Sequence, residues 1–87
     1  MVSLAEHEEI KRIGWHSRRG MLELDLILVP FAQHNYPNLD AADRRRYADL
    51  LRQEDTDIFR WLLRAEIPRD DDLKRIVQLA LAAHAER

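Results

Sequence analysis

Hydrophobic residues in the last quarter of this chain recur at steps of three and four. Leu73, Ile76, Val77, Ala80 and Leu81 fall on one stripe, with His84 closing it. That period predicts an amphipathic helix, and the acidic run Asp70-Asp71-Asp72 sits where the positive end of its dipole would lie. Pro68 separates it from a shorter segment in which Ile58, Phe59, Leu62 and Leu63 lie near one another, with Asp55 as the predicted cap and an end near Ala65. A third stripe runs from the predicted cap Asp40 to about Arg52. It places Ala42, Tyr47, Leu50 and Leu51 inward and Arg44, Arg45 and Arg46 at least partly outward.

At the other end, Ser3 and Glu6 form a capping-box pattern that starts a helix at Leu4. Leu4, Ile10 and Ile13 share one side loosely, and Gly14 weakens the last turn. The segment from Gly20 to His34 is different, because its middle is apolar almost all the way round. Leu24 to Val29 is compatible with a strand, but a lone strand would have no partner. A central buried helix, bent at Pro30, is the reading consistent with the other segments. His34 to Asp40, with Asn35, Pro37 and Asn38, reads as the longest connection. The expected fold is all-α: one compact domain over residues 1–87, a bundle of about five short helices.

Length and composition narrow the function. A chain of 87 residues leaves little volume for an enclosed active site, so binding by surface is the expectation. The 14 basic and 16 acidic side chains nearly cancel, leaving no global field for non-specific nucleic-acid binding. Without cysteine there is no disulfide, thiolate nucleophile or cysteine-based metal site. The apolar run Leu26 to Val29 stops at Pro30, far short of a membrane span. Residues 1–9 are acidic and resemble neither a secretory signal nor a transit peptide, so the expected location is cytoplasmic.

Catalytic patterns are missing. His7, His16, His34 and His84 show no paired ligand spacing, Gly14 and Gly20 are isolated, and Ser3 and Ser17 are in no nucleophile elbow. Arg18-Arg19 and Arg44-Arg45-Arg46, with Trp15, Tyr47 and Trp61 as stacking groups, form a weak nucleic-acid constellation that Asp40, Asp43 and Asp49 locally neutralise. Trp61 is expected in the core, and Trp15 at the border of a contact surface.

The segment richest in information is Arg18-Arg19-Gly20-Met21-Leu22-Glu23. With helix from Gly20 onward, Arg19 and Glu23 share a face across a residue without a side chain. A macromolecule could then approach Gly20 closely while the two charges make directional hydrogen bonds to it. The plainer reading is a solvated ion pair at a helix start, worth a few tenths of a kcal/mol.

The run Trp15 to Asp25, then Pro30-Phe31, His34 and Tyr36, and later Asp55, Asp57, Phe59, Trp61 and Leu62, resembles the succinate dehydrogenase assembly factor family. The resemblance is strongest over residues 10–63, and the family's Arg-Gly-x-x-Glu signature falls on Arg19, Gly20 and Glu23. It implies a five-helix protein that binds the flavoprotein subunit of succinate dehydrogenase or fumarate reductase and promotes covalent attachment of FAD. The flavin belongs to the partner, and no cofactor or catalytic residue is implied for this chain. Arg19 and Glu23 would anchor the complex, Gly20 would permit close approach, and Arg18, Trp15 and Asp25 would contact its rim. The free protein is expected to be a monomer that neither enters the membrane nor binds nucleic acid. Bacterial members were formerly described as the antitoxin half of a toxin pair, which keeps an antitoxin-like adaptor as the rival reading, beside an RNA-binding module.

Overall fold

Five α-helices carry the chain in the computed structural model, which describes residues 3–87. They are α1 (Leu4–His16), α2 (Leu22–His34), α3 (Ala41–Leu51), α4 (Asp55–Leu62) and α5 (Asp71–Ala85), with a 3₁₀ turn at Tyr36–Asn38. Three starts follow local side-chain chemistry. Ser3, Asp40 and Asp70 each accept the backbone N–H three residues on, from Glu6, Asp43 and Leu73.

The helix α2 lies at the centre and contacts α1, α4, α5 and the 3₁₀ turn. It buries Leu24, Ile27, Leu28, Phe31 and Ala32, so the strand alternative for Leu24 to Val29 is excluded. Pro30 is accommodated inside the helix, which continues to His34. Around α2 the core is completed by Ile13, Tyr36, Tyr47, Leu50, Leu51, Ile58, Leu62, Ile76, Val77 and Ala80. Phe31 and Tyr36 tilt against the Tyr47 ring, at centroid separations of 5.1 and 5.8 Å. Burial raises the Tyr47 phenol above its ordinary pKa. Ser17, fully buried, donates to the Ile13 carbonyl at 2.8 Å and meets the Tyr47 hydroxyl at 2.7 Å, closing the end of α1 onto the core.

Several expectations are corrected. The second helix starts at Leu22, not Gly20, because Gly20 is left-handed at φ +79° and Met21 is extended. The fourth ends at Leu62 rather than near Ala65, since Arg64 turns left-handed and stops it. Asp55 does not cap that helix; Glu54 holds the cap position and the Asp55 carboxylate bonds Arg19 instead. The longest connection is residues 63–70, because the 3₁₀ turn takes up much of the segment after His34. Leu4 and His84 lie exposed, and Trp61 is only partly buried against the core.

The arginine triplet of α3 is also divided. Arg44 bonds Glu6 and Glu9 and stacks over Tyr36, while Arg46 bonds Asp43 and Asp72, leaving Arg45 facing solvent. Arg75, then Arg46, hold the buried Asp43 carboxyl below its ordinary pKa. Burial and the Glu9 carboxylate push the Tyr36 phenol up to about 12. Tyr47 is sealed in the core and two of the three arginines are paired with acids, so the nucleic-acid constellation is not assembled.

Candidate docking surface around Gly20

The α1–α2 loop is short and heavily tied. Arg19 lies outside both helices, and its side chain is 16% exposed. Its Nε donates to Asp55 Oδ1 at 2.7 Å, one terminal nitrogen to the His16 carbonyl at 2.9 Å and the other to the Gln53 carbonyl at 3.2 Å. Its backbone N–H donates to Asp25 Oδ1 at 2.8 Å. Arg19 therefore clamps the loop to the start of α4, and Asp25 closes the loop from the first turn of α2.

This overturns the shared face of Arg19 and Glu23. A left-handed Gly20 breaks the helical register between them, so Arg19 turns inward while Glu23 lies exposed in the first turn of α2. Among the described residues Glu23 has no ion-pair partner. Asp25, expected at a rim, is half-buried in the loop's own hydrogen bonding. Arg18 and Trp15 are exposed, Trp15 at 69%.

Gly20 itself is exposed, and a Cβ built on it would meet nothing within 4 Å. Only its backbone angle resists a side chain. Beside it runs an apolar strip that motif reading missed. Leu22 and Leu26 of α2 are 69% and 56% exposed, and Val29 and Gln33 extend the same face at helical spacing. Between this face and α1 is an open concavity lined by Lys11, Gly14, Trp15, Arg18, Val29 and Gln33. The signal was present in the sequence: a helix apolar on every side, in a domain too small to cover all of them, must leave one side bare. Asp55 and Gln53, the far ends of the Arg19 clamp, carried no such signal.

Exposed large apolar side chains next to accessible backbone make this surface a candidate for macromolecular contact. Among the described residues, no group of three or more histidine, aspartate or glutamate side chains is placed to hold a metal ion, and no helix is long and apolar enough to cross a membrane. The fold and this surface define a small helical interaction protein.

Residues 11–84 match the family described as the flavinator of succinate dehydrogenase. The chain is 53% identical over 78 residues to the FAD assembly factor SdhE of Pseudomonas aeruginosa, covering 90% of this chain and 93% of that protein. It is 39% identical over 82 residues to the FAD assembly factor SdhE of Pectobacterium atrosepticum, covering 94% and 93%. This chain belongs to the succinate dehydrogenase flavinator family. Both relatives carry the name of an assembly factor and not of an enzyme.

Proposed function

We propose that this protein binds the flavoprotein subunit of succinate dehydrogenase or fumarate reductase and promotes covalent attachment of its FAD. Docking runs through Gly20 and the exposed side chains of Trp15, Arg18, Leu22, Glu23 and Leu26. One observation carries the reading: in a chain of the flavinator family, a bare left-handed glycine stands exposed beside an apolar strip. Glu23 supplies a charge to the partner, whereas Arg19 and Asp25 act inside the chain by fixing the loop that presents Gly20.

Under this proposal the chemistry belongs to the partner and its bound FAD. The small protein contributes differential affinity: it favours the arrangement of the flavoprotein in which the attachment site and flavin can react, and releases the finished product. It needs no acid, base or cofactor of its own, acts as a monomer, and works in the cytoplasm.

The test is a deletion strain in which covalent flavin on the flavoprotein subunit is read by in-gel fluorescence. The unaltered chain should restore the signal, while Leu26→Glu, which places a charge on the exposed strip, should restore little of it with an unchanged melting temperature. Full restoration by Leu26→Glu would remove the strip from the contact. Normal flavin in the deletion strain, with another protein co-purifying, would favour the adaptor reading.

A further inference from the structure

The helix α1 has a second accessible flank. At about 100° per residue, Glu9, Arg12, Ile13 and His16 point roughly opposite to Lys11 and Trp15. On that side an open concavity runs between α1 and α3. Its floor is apolar, with Leu39 and Ala48 partly exposed and the core residues Ile13 and Leu51 showing only 6% and 8% of their surface. Its charged lining is four arginines, Arg12, Arg44, Arg45 and Arg52, against the single acid Glu9, in a chain of net charge −2.

The positive charge is only partly used. Glu9 Oε2 already accepts from the Tyr36 hydroxyl and from Arg44, both at 2.9 Å. Arg44 is consumed by Glu6 and Glu9, and Arg52 is paired with Asp49. Arg12 and Arg45 are exposed and, among the described residues, have no ion-pair partner. Two free guanidinium groups thus flank an apolar floor, from two different helices.

We propose that this concavity binds an acidic protein segment. Its carboxylates would sit on Arg12 and Arg45 in forked hydrogen bonds, with an apolar side chain between them on the Leu39–Leu51 floor. A nucleic acid fits less well. Tyr36 is 3% exposed and offers bases no ring face, which leaves the exposed His16 as the ring within reach in the lining, and a nucleic acid would leave the apolar floor uncovered. The proposal does not depend on what docks at Gly20. Because the two surfaces flank one helix, a single client could engage both.

The probe is a short fluorescein-labelled peptide of repeating Glu-Glu-Leu, titrated with the whole chain by fluorescence anisotropy. Polyglutamate and an RNA oligonucleotide of equal charge serve as comparators. The leucine-bearing peptide should bind tighter than either. The double variant Arg12→Glu, Arg45→Glu should weaken binding by about tenfold or more. The milder pair Arg12→Gln, Arg45→Gln should weaken it less, with both variants melting like the parent. Gly20→Asn should bind the peptide as the parent does, whatever it does to docking of the flavoprotein. The proposal is overturned by absence of saturable binding, by equal binding of polyglutamate, by tighter binding of RNA, or by unchanged affinity in the double variant.

Discussion

Two described residues hold left-handed backbone, Gly20 at φ +79° and Arg64 at φ +61°. At Arg64 the reason is local. Its N–H donates to the Trp61 carbonyl at 3.1 Å and the Ala65 N–H to the Arg60 carbonyl at 2.9 Å, the bond pair that ends a helix in a Schellman turn. Glycine is the usual residue there, yet arginine occupies the position, with the cap bonds offsetting about 1 kcal/mol of backbone strain. At Gly20 a Cβ would meet nothing within 4 Å, so space inside the chain does not demand a glycine. The same fold that carries a long side chain in this conformation at residue 64 leaves residue 20 bare. The left-handed angle is one reason for glycine at residue 20, and under the docking proposal a partner's close approach is a second.

The largest expected effect lies in the clamp that presents Gly20. Arg19→Ala removes three side-chain hydrogen bonds and should lower stability by about 2 kcal/mol, less for Asp55→Ala, whose side chain is 40% exposed. A double-mutant cycle read by urea denaturation should give coupling of about 1 kcal/mol between them. Strict additivity would show that the pair does not act as a unit.

Smaller and opposite effects should separate the two left-handed residues. Gly20→Ala should cost about 1–2 kcal/mol from its backbone angle alone, with no added clash. Arg64→Gly should gain up to about 1 kcal/mol by relieving strain in the same conformation. Thermal melts of both variants decide this. Equal and negligible changes would mean that neither angle is strained, and the contrast would lose its meaning.

What could be read from sequence followed from the range of the interactions. Ser3 and Asp40 cap helices through contacts three residues away, so their pattern sufficed, while at α5 the acidic run marked the start and the structure identifies Asp70 as the cap. The central position of α2 followed from a middle that is apolar almost all the way round, and the place of Trp15 at a surface from its position beside the Arg18–Gly20 segment. Asp55 looked like another cap, but its partner is Arg19, 36 residues earlier, and no local pattern reveals that pairing. The register of Arg19 and Glu23 failed for a related reason. It assumed helix through Gly20, where the backbone turns left-handed and sends the two charges in different directions.

Docking as proposed closes a client protein on the bare backbone at Gly20. Calorimetric titration of the flavoprotein subunit with Gly20→Asn tests it most directly, because asparagine tolerates left-handed backbone while adding a side chain. Affinity should fall by about tenfold or more, equivalent to about 1.4 kcal/mol, with a melting temperature close to the parent's. Unchanged affinity in Gly20→Asn, and again in the bulkier Gly20→Leu, would contradict it.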